Sequence, residues 1–200
     1  MMGVTHIFAG TMSAVLLTGP ESPGGCLAAL IGGSLGGVIC DVDLGKAHRP
    51  ADSARAVQLT AAIVAGCLLL DGLLGAGLIR SIGRIDAGRL MAGLAGVMLL
   101  CLWGRAQPHR GGTHSVLAVL LLAGCAELVC PKLTMPFFIG MVSHLALDLL
   151  NRRPLRLLYP LRGGWCLGLS RADGRLDRLL RMTGLLGTVL GIGISIGGFR

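Results

Sequence analysis

The sequence predicts an all-α protein, a polytopic bundle of about six or seven membrane segments with one interfacial amphipathic helix. Hydrophobic residues make up 53% of its 200 residues and charged residues only 14%, whereas soluble domains carry about 25% charged residues. The mean hydropathy is +0.75. The 33 glycines suit membrane helices, in which small residues let backbones approach closely. We expect one membrane-embedded domain over residues 1–200.

Seven apolar segments account for this composition. The third is the only one with the roughly 20 residues that a comfortable membrane span needs. The others need flanking residues, a thinned bilayer or re-entrant geometry to cross. The segments cover residues 4–18, 25–40, 56–79, 90–103, 115–130, 134–150 and 182–199.

Polar residues cluster at four places along these segments. His144 and Asp148 are four residues apart, so they project from one face of a helix, a turn apart. If the chain crosses the membrane seven times, all four places lie at one membrane face. Most of the 18 lysines and arginines lie in loops on that face, which predicts that it is cytoplasmic. The polar residues are His6 in the first segment, Asp41 and Asp43 after the second, His109 and His114 before the fifth, and His144 and Asp148 in the sixth.

These residue types favour a metal site. Imidazole and carboxylate together suit zinc, manganese or iron, and this set exceeds the three or four protein ligands of one zinc. A pair of metals can activate water and stabilise the charge on a phosphoryl or acyl oxygen. The planar fork of Arg110 can hold an anionic substrate oxygen. We expect Thr5, Thr113 and Ser115 to orient the imidazoles by hydrogen bonds.

The motifs around these residues carry a resemblance to a known family. They are "THIFAG" at 5–10, "GGVICDVD" at 36–43, "HRGGTHS" at 109–115 and "SHLALDLLN" at 143–151, which "LLYPL" follows at 157–161. In order and approximate spacing, residues 5–161 resemble the LexA-regulated, inner-membrane-associated metal-dependent hydrolases of bacteria and archaea. That family is distantly similar to zinc-dependent phospholipase C and to P1-type nucleases, which bind metals through His and Asp and cleave phosphoesters.

The resemblance implies which residues form the site. The family pattern also differs from this chain at two positions. The family commonly has proline where Cys40 stands and often has histidine where Leu44 stands, so this chain lacks one possible ligand of the pattern. His48 is interpreted as a loop residue. The resemblance places metal ligands at His6, Asp41, Asp43, His109, His114, His144 and Asp148, with Arg110 and Asp43 as catalytic residues, Asp43 serving as ligand or base.

The stretch 151–200 differs from the rest of the chain. Residues 151–181 carry eight arginines, and "RADGRLDRLLRM" at 171–182 has leucines at helical spacing with arginines between them. This pattern predicts an interfacial helix on anionic lipid. In the last segment, glycines at 187 and 191 and the pair 193 and 197 give small-x-x-x-small spacings, which predict close helix packing.

The net charge and the distribution of basic residues indicate which kinds of partner the protein binds. The net charge of +8 favours anionic lipid headgroups. The basic residues are not interleaved with aromatic residues that stack on bases, so we expect no nucleic-acid partner. The seven cysteines include no Cys-x-x-Cys pair and are interpreted as packing thiols. Asp71, deep in the third segment, is assigned no role.

We therefore expect a multi-pass, metal-dependent hydrolase of the bacterial or archaeal inner membrane. It would cleave an ester or phosphoester, of a lipid or another small molecule, with metal-activated water at the cytoplasmic face. The expected cofactor is one or two divalent metal ions, zinc in the first place and manganese as the alternative.

Two alternatives stay open. The first is a metal-free lipid phosphatase with a nucleophilic histidine, because His144 and Asp148 resemble the tail of that signature and Lys46 and Arg49 its head. Chelation would spare that activity. The second is a non-enzymatic membrane protein, either structural or a metal transporter. A transporter, however, carries its polar residues near the bilayer midplane, whereas these cluster toward one end.

Overall fold

The computed structural model describes residues 1–41, 50–107 and 110–198, and within these ranges it is all-helical, as predicted. Six of the seven apolar segments correspond to one helix each, whereas the third, predicted at 56–79, is divided between a helix that ends at Leu74 and one that begins at Leu78. The described ranges contain isolated β-bridges but no strand. A 3₁₀ turn at Gly112–His114 precedes the sixth helix. The helices are α1 (Gly3–Thr18), α2 (Pro23–Ile39), α3 (Pro50–Leu74), α4 (Leu78–Ile82), α5 (Ala87–Ala106), α6 (Val116–Val129), α7 (Pro131–Leu149) and α8 (Arg175–Gly197).

The centre of the bundle consists of α1, α2 and α7. These helices hold many of the most buried side chains, such as Ile7 and Met141, both 0% exposed. Glycines allow the close packing: a Cβ on Gly36 of α2 would collide with the carbonyl oxygen of Phe137 on α7. The tight contact brings the polar ends of these helices together.

Three helices are long and apolar enough to cross a membrane: Ala51–Leu74, Ala87–Ala106 and Arg175–Gly197. The expectation that only residues 56–79 have this length is wrong, because α5 and α8 continue as helix into flanking residues that include arginines. Of these long helices, α3 and α8 pack on α1 and α2, whereas α5 packs on α6. They expose large apolar side chains, such as Leu73 at 82% and Ile194 at 75%. Lipid accounts for such surfaces, which soluble proteins rarely expose. Since α1, α2 and α6 are shorter, the total of six or seven membrane segments stays a prediction.

The basic amphipathic stretch predicted at the interface forms the first turns of α8 instead of a helix of its own. No breaker stands between Arg175 and the apolar residues that follow, so the helix continues to Gly197. The predicted close packing is confirmed for Gly187 and Gly191. A Cβ there would lie 2.5 Å from Met12 Sδ and 2.8 Å from a Val15 methyl carbon of α1, respectively. The 193 and 197 positions face open space instead.

The segment between α7 and α8 folds back over one end of the bundle. Leu155 is 0% exposed and packs in a cluster with Cys40, Val119 and Met141. The backbone N–H of Val116, the first residue of α6, donates to the carbonyl oxygen of Leu157 at 2.9 Å. This segment therefore covers the end of the bundle at which the predicted site residues lie.

Candidate metal centre

Five of the predicted metal ligands meet at this covered end of the bundle. His6 lies in the first turn of α1, Asp41 directly after α2, His114 in the 3₁₀ turn, and His144 and Asp148 in the last two turns of α7. The side chains of the three histidines and Asp148 are at most 3% exposed, and that of Asp41 is 12% exposed. The structure thus brings together four distant stretches of the chain, as the sequence predicted.

Two carboxylates face the same two imidazoles. Asp41 Oδ1 lies 3.4 Å from His114 Nε2 and 3.8 Å from His144 Nε2. Asp148 Oδ2 lies 3.7 Å from His114 Nε2 and 3.9 Å from His144 Nε2. The His6 imidazole completes the cluster, because its Nε2 lies 3.4 Å from the other oxygen of Asp148 and its ring stacks on that of His144 with centroids 4.0 Å apart.

The donor atoms form two overlapping groups of metal-ligand size. His6, His144 and Asp148 each offer an atom within 4.8 Å of the others, and so do Asp41, His114 and His144. His144 belongs to both groups. Within the described residues, these are the groups of three or more His, Cys, Asp or Glu that have this geometry.

Backbone packing fixes the orientation of His144. Its Nδ1 lies 2.8 Å from the carbonyl oxygen of Gly37 on α2. A carbonyl oxygen only accepts hydrogen bonds, so Nδ1 carries the proton and Nε2 presents its lone pair. That Nε2 is buried and has no hydrogen-bond partner among the described residues. The approach is close because residue 37 is glycine: a Cβ there would lie 2.6 Å from the His6 carbonyl oxygen.

Two hydrogen bonds to one carboxylate oxygen, Oδ1, hold the side chain of Asp148. Its Oδ1 accepts hydrogen bonds from Arg110 Nη2 at 3.0 Å and from Asn151 Nδ2 at 2.9 Å. Arg110 Nη1 in turn donates to the Arg153 carbonyl oxygen at 2.7 Å. These bonds leave Oδ2 directed at the two imidazoles. The sequence suggested Arg110 as an anion holder and did not predict its bond to Asp148, since residues 38 apart give no local signal.

Asp41 is a carboxylate in this environment. Burial raises the pKa of its carboxyl, but the neighbouring imidazoles of His144, His114 and His6 outweigh that effect, so the pKa lies below its ordinary value. An ionised Asp41 carries the negative charge that a metal ligand requires.

The predicted orienting residues divide into three cases. Thr113 Oγ1 lies 3.1 Å from His114 Nδ1, so this prediction is confirmed. Ser115 caps α6 instead: its Oγ accepts from the Ala118 N–H at 3.2 Å and donates to the Gly112 carbonyl oxygen at 2.6 Å. The prediction for Ser115 is therefore wrong, because the residue stands at the N-cap of a helix. Thr5 Oγ1 is buried without a hydrogen-bond partner in the described part of the chain.

Asp71 has a structural role, and several other predicted residues lie outside the residues that the structure describes. Asp71 accepts hydrogen bonds from the backbone N–H groups of Leu78 and Ile79 at 2.7 and 2.8 Å, so it caps the short helix α4. The predicted site residues Asp43 and His109 lie outside the described residues, as do His48, Lys46 and Arg49.

Two groups that shape the centre had no predicted role. The Gly37 carbonyl and the Asn151 amide contact His144 and Asp148, respectively. Asn151 ends the motif "SHLALDLLN" and stands three residues after Asp148, a spacing at which helical side chains are neighbours, so the sequence placed it near the site without giving it a task. The backbone carbonyl of Gly37 was missed, because a carbonyl has no such signal in a sequence.

Comparison with known proteins identifies the family. The model of the YdjM inner membrane protein family matches residues 1–195. No curated protein and no solved structure matches the chain. The similarity to phospholipase C and P1-type nucleases and the assignment as a hydrolase stay predictions. The family match covers nearly the whole sequence, and the chain therefore belongs to the YdjM inner membrane protein family.

Proposed function

We propose that this protein is a multi-pass, metal-dependent hydrolase of the inner membrane whose centre lies at the cytoplasmic face. The ligands in the described residues are His6, Asp41, His114, His144 and Asp148. Asp43 and His109 stay proposed as further members, Asp43 as ligand or base. Zinc is the first candidate for the metal, as one or two ions, and manganese is the alternative.

The observation that carries the proposal is the buried Nε2 of His144. Its lone pair has no hydrogen-bond partner in the described chain and faces two carboxylates. Leaving a buried polar atom unsatisfied costs about 1–3 kcal/mol, so such an atom calls for a ligand. The bond from Nδ1 to a backbone carbonyl is the arrangement that typically orients a metal-ligating histidine.

The distances between donors also fit a shared cation. At 3.4–3.9 Å the contacts between imidazole nitrogens and carboxylate oxygens are mostly too long for hydrogen bonds. Zinc bonds of about 2.0–2.1 Å imply about 3.3–3.4 Å between ligand atoms in a tetrahedral site. The observed distances lie just above that value.

The two carboxylates differ in their charged neighbours. Asp148 has two cationic neighbours, the Arg110 guanidinium at 3.0 Å and the α-amino group of Met1 at 3.7 Å. Asp41 faces the imidazoles of His114 and His144 instead. A divalent cation between these groups offsets the charge of Asp41, which is expensive to keep unpaired in a low-dielectric environment.

The residues around the ligands have distinct tasks. The Gly37 carbonyl holds the His144 tautomer, and hydrogen bonds from Arg110 and Asn151 orient Asp148. A divalent cation held by this cluster supplies the Lewis acidity that polarises an acyl or phosphoryl oxygen. Arg110 additionally lines a cavity of about 750 Å³, where its charge can stabilise an anionic substrate group.

Elemental analysis of the purified protein tests the metal, and hydrolysis of chromogenic esters and phosphoesters in detergent tests the reaction. We expect stoichiometric metal in the wild type, and loss of metal in His144→Gln and Asp148→Asn. The control Asp71→Asn changes a buried aspartate of the same kind outside the cluster, so it retains metal. A wild-type protein that takes up no zinc or manganese contradicts the proposal.

The alternatives give different results in the same assays. A metal-free phosphatase that uses His144 as nucleophile remains active after chelation, whereas the proposed hydrolase loses activity and regains it with zinc or manganese. A transporter moves metal into proteoliposomes and hydrolyses none of the substrates.

A further inference from the structure

Two cavities border residues of the proposed metal centre. The first, here called the α2–α3 groove, has a volume of about 550 Å³ and is lined at one end by Asp41. The second, here called the arginine cavity, has a volume of about 750 Å³ and is lined by Arg110. Both volumes fall in the range of about 300–1,000 Å³ that is typical of ligand sites.

The α2–α3 groove is suited to an acyl chain. Its polar lining consists of Asp41 after α2 and of Asp52, Ser53 and Thr60 in the first part of α3. The rest of the lining is apolar and includes Leu35 and Val38 on α2 and Val64 and Leu68 on α3. Its lining residues on α3 extend from residue 52 to residue 68, which corresponds to about 24 Å at 1.5 Å per residue. That length exceeds half of the roughly 30 Å hydrocarbon core of a bilayer. The groove can therefore take a chain that extends through one leaflet.

The arginine cavity is suited to an anionic group. Arg110, Arg156 and Arg162 line it, and the described lining includes no acidic residue. Guanidinium groups match phosphate oxygens in shape and charge. Arg156 and Arg162 belong to the segment between α7 and α8 that covers the centre, and both are exposed. Their positions agree with a headgroup that approaches from the membrane surface.

The metal cluster connects the two cavities. Asp41, at the end of the groove, lies 3.4 Å from His114 Nε2. The same nitrogen lies 3.7 Å from Asp148, whose other oxygen accepts a hydrogen bond from Arg110 in the arginine cavity. A molecule that occupies both cavities extends from Asp41 to Arg110, the two residues through which the cavities border the cluster.

We propose that the substrate is an anionic phospholipid whose acyl chain occupies the α2–α3 groove and whose headgroup occupies the arginine cavity. The inference rests on the proposed hydrolase function for the step that follows binding. Hydrolysis adds one water across the ester bond held between the cavities. The bond to the leaving oxygen breaks, the hydroxyl stays on the acyl or phosphoryl group, and the proton goes to the leaving alcohol.

Lipid binding in bilayers tests the inference apart from catalysis. The full-length protein is placed in nanodiscs of phosphatidylcholine with a small fraction of phosphatidylglycerol, and native mass spectrometry counts the phosphatidylglycerol that it retains. We expect enrichment of phosphatidylglycerol over phosphatidylcholine in the wild type. Inorganic phosphate alone, added as a competitor, is expected to leave the bound lipid in place, because it lacks the chain.

Matched variants separate the two cavities from general effects. Ala61→Phe fills the groove, whereas Ala62→Phe makes the same change on an adjacent exposed residue of α3 that does not line it. Arg156→Gln combined with Arg162→Gln removes two charges from the arginine cavity, and Arg152→Gln is the control in the same segment. We expect about tenfold less bound phosphatidylglycerol in each cavity variant and no change in either control.

The outcomes distinguish failure of the inference from failure of the proposed function. All these variants leave the ligands intact and should retain metal. Equal retention of phosphatidylglycerol in Ala61→Phe and Ala62→Phe, no preference for phosphatidylglycerol over phosphatidylcholine, or displacement of the lipid by phosphate alone overturns the lipid assignment, whatever the metal content. Selective lipid binding by a protein without metal supports the two cavities and contradicts the hydrolase.

Discussion

Replacing Gly37 with alanine tests how closely the metal centre depends on helix packing. The new Cβ would lie 2.6 Å from the His6 carbonyl oxygen, 3.1 Å from the His6 carbonyl carbon and 3.3 Å from Ile7 Cα. All three are backbone atoms of α1, so no flexible side chain can move aside. Ordinary contact begins at about 3.4 Å, so α1 and α2 must separate by several tenths of an ångström. The carbonyl group of Gly37 also accepts the hydrogen bond from His144 Nδ1, so a shift of α2 at residue 37 moves that partner of His144 as well.

The expected magnitude follows from this geometry. Overpacking a core costs about 1–3 kcal/mol, and each kcal/mol lowers Tm by about 2–4 °C in a chain of this size. Disturbing the partner that orients a metal-ligating histidine typically costs about ten- to a hundredfold in metal affinity. Gly66→Ala on α3 is the control, because a Cβ there meets nothing within 4 Å. Both substitutions gain the same helix propensity, so their difference isolates the overpacking.

Thermal melting in detergent and a competitive zinc titration measure the two effects. We expect Gly37→Ala to melt about 2–12 °C below Gly66→Ala and to bind zinc at least about tenfold more weakly. The reasoning fails if the two variants have the same Tm and the same zinc affinity.

Three further predictions concern the surroundings of the centre. Asn151→Ala removes a hydrogen bond to Asp148, and a zinc titration should show affinity about tenfold lower; unchanged affinity would show that Arg110 alone positions the carboxylate. Thr113→Val should weaken zinc binding in a titration, because it removes a hydrogen-bond partner of His114. Ser115→Ala should lower stability by about 1 kcal/mol in thermal melting, through loss of the α6 cap, and leave zinc affinity unchanged. Weaker zinc binding in Ser115→Ala together with unchanged binding in Thr113→Val would exchange the two roles. Asp71→Asn should lower Tm, since it weakens the cap of α4, with full metal content by elemental analysis; loss of metal would mean that the cap supports the centre.

The sequence predicted most of the helices because glycine, proline or a polar residue follows each apolar segment. It did not predict the break at 75–77 that separates α3 from α4. The convergence of His6, Asp41, His114 and His144 could also be predicted, from the order of segments and the face on which each motif falls. Both inferences depend on local patterns and on chain topology, which a single sequence contains.

Other features depend on contacts between distant residues and could not be predicted. The sequence does not say that α1, α2 and α7 form the centre, since that follows from glycine contacts such as Gly36 with Phe137. It also does not reveal that Leu155 folds back into the core beside Cys40. The role of Ser115 was missed for another reason: capping and imidazole orientation call for the same residue type.

Zinc K-edge X-ray absorption of the zinc-loaded protein tests the central claim most directly. We predict nitrogen and oxygen ligands at about 2.0–2.1 Å with the multiple-scattering signature of at least two imidazoles, weakened in His144→Gln. A sulfur shell at about 2.3 Å would indicate cysteine ligands such as Cys40, and a spectrum without imidazole scattering would indicate adventitious metal. Either result would contradict a centre built from these histidines and aspartates.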